Sequence, residues 1–113
     1  MAFDEQLADR IRIILQRTSI PFEEKKMMGG LCFMVDDKML AGIVRNELMA
    51  RVGPNLYEAA LERMGAKEMN FTGRSMKGFV FIDPEGIDMD ADLEQWIQDC
   101  LAYNPEAKSS KKK

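Results

Sequence analysis

The chain has 113 residues, a length that suits one domain and leaves too little for two ordinary ones. Hydrophobic residues make up 46% of it and charged residues 31%, which is typical of a soluble globular protein and excludes a disordered or fibrous one. The formal net charge is −3 and the histidine count is 0, which excludes His-based catalytic triads and the usual zinc sites.

The first predicted element is an amphipathic helix over residues 4–18. Its apolar residues recur three or four positions apart and therefore share one face: Phe3, Leu7, Ile11 and Ile14. Because Pro21 disfavours helical backbone at the residue before it, the helix should end by about Ser19.

After this helix the sequence changes to the pattern of strands and turns. Apolar runs at 31–35 and 39–44 flank a polar break of hairpin size, and residues 47–52 alternate in part. A further strand is expected at 23–28. Together these segments predict a meander of three or four antiparallel strands.

A second helix is predicted to begin at Gly53-Pro54, because proline suits the first helical position. Gly65 is placed to end it. Its apolar face is expected to carry Tyr57, Leu61 and Met64.

The last part of the chain is predicted to hold a strand and a helix. Residues 66–75 are polar and irregular, while 78–82 form a strongly strand-prone run that ends in a turn. The final helix is expected over about 90–103, with Asp88 or Asp90 as its N-cap. Its apolar stripe consists of Leu93, Trp96, Ile97, Cys100 and Leu101.

The order α-β(3-4)-α-β(1-2)-α predicts an α+β fold in two layers, with an antiparallel sheet that helices cover mainly on one face. The second face must then be solvated or meet a partner. Because the runs 31–35 and 39–44 are apolar on both sides of the pleat, we expect a homodimer that buries the second face or an edge. The predicted domain spans 1–105, and a Lys-rich flexible tail follows at 106–113.

The sulfur-containing residues are interpreted as packing residues. Cys32 and Cys100 each lie in an apolar pattern and are predicted to be core thiols, with a disulfide as the less favoured alternative in a reducing compartment. The ten methionines fall mostly inside predicted strands and helices, which favours packing in the core or a dimer interface over an adaptable binding groove.

The charge is distributed unevenly along the chain. The last six residues hold four of the 16 basic residues, Lys108, Lys111, Lys112 and Lys113, so residues 1–107 carry 12 basic against 19 acidic residues. We do not expect such an acidic body to bind nucleic acid directly, and the tail offers at most weak, salt-sensitive contact. No secretory signal or membrane-spanning run is apparent, which predicts a cytoplasmic protein without membrane contact.

The candidate site consists of three basic residues, Arg51, Arg74 and Lys77. Arg51 ends one predicted strand, and the other two precede the start of another. If these strand ends are neighbours, the three cations can hold a carboxylate or phosphate, because arginine offers a planar fork of donors. The alternative is structural: Arg51 pairs with an acid across the sheet, and Lys77 is a solvated charge that blocks edge pairing.

Catalytic motifs are missing from the sequence. It contains no phosphate-loop or dinucleotide-binding fingerprint, and the acidic run 88–92 lacks the glycine and the final glutamate of a calcium loop. We therefore expect a non-enzymatic protein with no cofactor and no metal.

Three blocks of sequence resemble the N-terminal domain of the TfoX (Sxy) competence regulators. They are MGGLCFMVDDKML from Met28, LMARVGP from Leu48 ahead of the helix with Tyr57, and MNFTGRSMKGFV from Met69. They follow the family's order and spacing over about residues 5–104, although Ser75 stands where the family usually has proline.

The resemblance implies an α+β domain similar to secretion-chaperone-like folds, which tends to form dimers and regulates genes for DNA uptake together with a cyclic-AMP-responsive activator. Those regulators carry a second, C-terminal domain, where this sequence has the lysine-rich tail. The first functional hypothesis is a homodimeric, non-enzymatic module that acts through contact with an unidentified protein in transcription regulation. The alternative is a domain that binds a small anionic ligand through Arg51, Arg74 and Lys77.

Overall fold

The computed structural model describes residues 4–27, 30–68 and 78–106. The predicted order of elements is confirmed, with four strands in the first group and two in the second. The elements are α1 (Glu5–Arg17), β1 (Glu23–Met27), β2 (Gly30–Val35), β3 (Lys38–Val44), β4 (Glu47–Arg51), α2 (Tyr57–Leu61), β5 (Ala66–Glu68), β6 (Phe79–Ile82) and α3 (Asp90–Tyr103), with short 3-10 turns at Pro84–Gly86 and Asn104–Glu106.

The six strands within the described residues form one antiparallel sheet in the order β1-β2-β3-β4-β6-β5. The chain runs through β1 to β4 as a meander, and β6 then pairs with β4 so that β5 becomes an edge. Both edges are poorly suited to further strand pairing. β1 has the sequence Glu-Glu-Lys-Lys-Met, and β5 is only three residues long.

Helix α1 forms as its pattern predicts. Asp4 is its N-cap, and the Asp4 carboxylate accepts hydrogen bonds from the backbone N–H groups of Gln6 at 2.9 Å and Leu7 at 3.3 Å. The buried face of the helix carries Leu7, Ala8, Ile11, Ile14 and Leu15. Phe3, which was also expected on this face, lies outside the described residues.

The prediction for α2 is wrong in its length. Residues 54–56 form a turn, the helix has only five residues, and Met64 is 70% exposed instead of facing the core. The chain leaves the helix early because Ala66 to Glu68 pair with β6, and this pairing overrides the local helical pattern. Gly65, with φ +80°, supplies the left-handed turn between the two elements.

Two further details differ from the expectation. Strand β5 lies in a segment interpreted as irregular. The N-cap of α3 is Met89, and neither Asp88 nor Asp90 caps the helix. Arg10 donates hydrogen bonds to the backbone carbonyl oxygen of Asp88 at 3.2 Å and to the side-chain carboxylate of Asp90 at 3.1 Å.

The helices pack on one face of the sheet and bury the main core there. Side chains of α1 and α3, including the fully buried Trp96, contact strand residues such as Phe33, Leu48 and Ile82. We refer to this cluster as the helix-covered core. Since strand residues alternate between the two faces, their immediate neighbours in sequence point to the opposite side.

Candidate functional site

Arg51 lies at the end of β4 between two aromatic rings. The centre of its guanidinium is 5.3 Å from the ring centroid of Phe79, the residue directly opposite in β6, and 5.9 Å from that of Tyr103 at the end of α3. Cation–π contacts of this kind restrict the orientation of the side chain. Arg74 and Lys77 lie outside the described residues, so the convergence of the three cations stays a prediction.

The face of the sheet opposite the helices carries a separate apolar cluster. Its buried members are Cys32, Met34 and Met49, and the partly buried Met39, Phe79 and Phe81 pack against them. All six residues come from β2, β3, β4 and β6. We call this cluster the methionine face. The expectation that the strands are apolar on both sides is confirmed by these residues.

A single cross-strand row runs through the middle of the methionine face. Cys32, Gly42, Met49 and Phe81 are successive partners on β2, β3, β4 and β6, and lysines pair at both ends of the row, Lys25 on β1 and Lys67 on β5. The row is therefore apolar in the centre and charged at the two sheet edges.

Gly42 makes room for sulfur-containing side chains in this row. A Cβ atom at position 42 would lie 2.9 Å from Cε of Met49 and 3.4 Å from Sγ of Cys32. These two side chains therefore fill the space that any other residue at Gly42 would occupy. Across the neighbouring strand pair, the Cys32 thiol lies 4.0 Å from Sδ of Met39. Burial raises the pKa of the Cys32 thiol above its ordinary value.

The β5 side of the methionine face is bordered by an ionic cluster. The Lys67 ammonium donates to the Glu47 carboxylate at 2.5 Å and lies 2.9 Å from an Asp83 carboxylate oxygen. The hydrogen bond from Lys67 is the main reason why the pKa of Asp83 is lowered. The same hydrogen bonds, first to Glu47 and then to Asp83, raise the pKa of Lys67.

Ion pairs border grooves on the helical side of the molecule. One, of about 190 Å³, separates α1 from α3, and ion pairs of Arg10 with Asp90 and Arg17 with Glu94 border it. Another lies beside α2, where Arg63 pairs with Asp99 at 2.7 Å and stacks 3.6 Å from the ring centroid of Trp96. The ionic groups of both grooves are thus paired within the chain, which favours a structural role for them.

Other chemical features of the described residues are few. The Tyr57 hydroxyl is buried without a hydrogen-bond partner, and burial, followed by the nearby Glu68 charge, raises the pKa of this side chain. Within residues 4–27, 30–68 and 78–106, no three His, Cys, Asp or Glu side chains are grouped to hold a metal ion. No helix in the same ranges has the length and hydropathy needed to cross a membrane.

Comparison with known proteins places the chain in a family. A family model described as the TfoX N-terminal domain matches residues 15–103, which is most of the chain and includes all three sequence blocks that predicted the resemblance. No curated protein and no solved structure matches the chain. The likeness to secretion-chaperone folds therefore stays a prediction.

Proposed function

We propose that this chain, which belongs to the TfoX N-terminal domain family, is a non-enzymatic regulatory module that forms a homodimer through its methionine face. In this proposal the dimer acts in the cytoplasm by contacting another protein involved in transcription. The family supports a regulatory, non-catalytic role. The observation that carries the dimer is the apolar cluster on the sheet face that the helices leave open.

The methionine face has the composition of a protein contact surface. Met39, Phe79 and Phe81 are only partly buried, and they pack against the buried Cys32, Met34 and Met49. Removing the remaining exposed area from water stabilises an interface by about 25 cal/mol for each Å² of apolar surface. Methionine and phenylalanine are also enriched at the centres of protein interfaces.

The sheet edges support a face-to-face dimer over an edge-to-edge dimer. Residues 23–26 of β1 are charged and exposed, and a second copy of β1 could pair with them only by placing these charges close together. β5 offers three residues, two of them charged. Of the two dimer modes expected from the sequence, the one through the second face is therefore the one we propose.

Charge also favours a second copy as the occupant of this face. The strand register places three cations, Lys25, Arg51 and Lys67, and two anions, Glu23 and Glu47, on the same side as the methionine face, and the ion pair of Lys67 adds Asp83 at its border. This side of the sheet is thus nearly neutral, although the chain as a whole has a net charge of −3. Two copies can approach through it with little of the repulsion that the acidic remainder of the surface produces.

The surface left outside the dimer provides the contact for the regulatory partner. Four large apolar residues away from the methionine face are strongly exposed: Ile13, Leu56, Met64 and Met89. Because the body is acidic, we propose a protein and not a nucleic acid as the partner.

The dimer is tested by sedimentation equilibrium of the full chain at tens of micromolar. We expect a mass of twice the 12.9 kDa of the chain, and we expect Met39→Glu to restore the single-chain mass. Met89→Glu places the same charge on a side chain that is 65% exposed and away from the sheet, and it should leave the dimer intact. A wild-type chain that is strictly monomeric, or equal dissociation by both variants, would contradict the proposal.

The alternative function, binding of a small anion, is favoured by one observation. Phe79 and Tyr103 orient the Arg51 guanidinium, and an oriented guanidinium binds a carboxylate or phosphate with less loss of side-chain freedom. Calorimetric titration with inorganic phosphate tests it. Binding that is lost in Arg51→Gln and kept in Arg12→Gln supports this alternative, and the absence of binding by the wild-type chain contradicts it.

A further inference from the structure

We propose that the sulfur atoms of the methionine face form a binding site for Cu(I), with Cys32 Sγ and Met39 Sδ as two of its ligands. The thioether of Met49 is the third ligand, and Met34 lies in the same cluster. This proposal goes beyond the dimer and the regulatory partner, and it does not depend on either of them.

The first argument is where the methionines lie. The helix-covered core contains no methionine among its described buried residues, although methionine is a common filler of irregular core space. Met34, Met39 and Met49 are instead gathered with a cysteine in the smaller cluster. If these residues only filled gaps, the larger core would be expected to contain some of them.

The second argument is the distance between the sulfur atoms. The Cys32 and Met39 sulfur atoms are 4.0 Å apart. With a metal–sulfur bond of about 2.3 Å, as for zinc thiolates, two ligands of a trigonal site are separated by about 4.0 Å. The separation of these two sulfur atoms therefore already matches that of two ligands on one metal ion.

The third ligand is made available by Gly42. Cε of Met49 and Sγ of Cys32 both contact the space above this glycine. The methionine side chain has three rotatable bonds, so a rotation can turn the Met49 sulfur atom toward the metal. A side chain at position 42 would separate the two residues, which gives this glycine a role in the site.

The donor set and its charge select the metal. One thiolate and two thioethers are soft ligands, which prefer Cu(I) over harder divalent ions. One thiolate also neutralises the single charge of Cu(I), so the complex is uncharged in its apolar surroundings. A divalent ion would leave one positive charge buried and unpaired, which is costly. The chain contains no histidine that could supply nitrogen ligands elsewhere.

Binding replaces a proton by the metal. The Cys32 thiol loses its proton to solvent, its sulfur forms a bond to Cu(I), and no electron is transferred. The apparent affinity should therefore rise about tenfold for each unit of pH as long as the free thiol remains protonated.

The experiment is an anaerobic titration of the full chain with Cu(I) in competition with a chromophoric Cu(I) chelator. We expect one Cu(I) per chain and the pH dependence just described. Cys32→Ser should lower the affinity for Cu(I) at least about 100-fold and abolish its pH dependence. Met39→Leu, which keeps the size and hydrophobicity of the side chain, should lower the affinity about tenfold. Cys100→Ser and Met89→Leu are the matched controls and should bind like the wild-type chain, since both residues lie away from the methionine face.

Several outcomes would overturn the proposal. One is failure of the wild-type chain to compete with the chelator for Cu(I), and another is binding of Cu(I) by Cys32→Ser as tightly as by the wild-type chain. An equal loss of Cu(I) affinity in Cys32→Ser and in the Cys100→Ser control would also overturn it. Circular dichroism of each variant identifies a loss of Cu(I) affinity that is caused by unfolding. If Cys32→Ser does not fold, the affinity of Met39→Leu still tests the proposal. A chain that is monomeric in sedimentation but binds Cu(I) would contradict the proposed dimer and leave this site standing.

Discussion

The two faces of the sheet both carry buried apolar residues, but the types of residue differ. Leu48 and Met49 are neighbours in β4 and both are fully buried, but Leu48 points into the helix-covered core and Met49 into the methionine face. The helix-covered core is built from branched aliphatic side chains around Trp96, whose shapes specify one arrangement. The methionine face is built from flexible sulfur-containing side chains and two phenylalanines, which suits a surface that changes its contacts.

The two cysteines show the same contrast. Cys100 is completely enclosed in the helix-covered core, and burial, partly offset by a hydrogen bond with the Arg51 backbone, raises the pKa of this thiol to about 12. Cys32 belongs to the methionine face, where its sulfur atom lies 4.0 Å from that of Met39. One thiol is thus protected by the whole fold, and the other by a few side chains that can move.

The largest expected effect comes from truncating the two neighbours in β4. Leu48→Ala should lower the free energy of unfolding by about 4 kcal/mol, because the surrounding aliphatic side chains cannot collapse into the cavity. Met49→Ala should cost about 2 kcal/mol, because Met39 and Phe81 can move into the vacated space. Urea unfolding followed by circular dichroism measures both values, and equal losses would remove the distinction between rigid and adaptable packing.

A smaller effect is expected in the labelling of the thiols. At pH 8 and without denaturant, a thiol reagent should modify Cys32 about 100-fold faster than Cys100, because a local opening exposes the first and only global unfolding exposes the second. Mass spectrometry of peptides measures both rates in one sample. Equal labelling rates of Cys100 and Cys32 would show that the helix-covered core opens as readily as the methionine face.

The smallest effect concerns the border of the methionine face at Lys67. The pKa of Asp83 is lowered from 3.8 in the folded chain, so its ion pair contributes stability above about pH 4, and this contribution is lost as the pH falls through the folded pKa. Lys67→Met should therefore reduce the loss of stability on acidification below pH 4. Because the pair is partly exposed, the change should be small and should weaken further in salt. Acid titration of Lys67→Met and of the wild-type chain, monitored by tryptophan fluorescence, measures how steeply the stability of each falls with pH. Identical pH dependence in the two chains would contradict a stabilising role of the Lys67–Asp83 ion pair.

Much of the fold could be predicted because periodicity is a local property. The spacing of Leu7, Ile11 and Ile14 predicts α1, and the apolar runs in β2 and β3 predict both strands and their second apolar face. The length of α2 and the presence of β5 could not be predicted in this way, because both depend on pairing with β6, which is distant in sequence. The N-cap of α3 could not be placed to the residue, because the helix begins at Asp90 and its cap position falls on Met89, between the two expected aspartates.

The candidate sites show the same limit. Arg51 could be singled out from its sequence block, but Tyr103 is brought beside it only by the packing of α3. The sulfur cluster depends on an irregularity in the pairing of β2 with β3 between Phe33 and Met34, after which Met34 pairs with Met39. This shift places Met39 on the same face as Cys32, and the local sequence pattern does not predict the shift.

The most direct test of a functional methionine face is a dilution series followed by NMR of the methionine methyl groups. The account predicts that the signals of Met34, Met39 and Met49 shift together as the chain is diluted, while those of the exposed Met64 and Met89 stay in place. Signals that are independent of concentration, or shifts confined to Met64 and Met89, would contradict it.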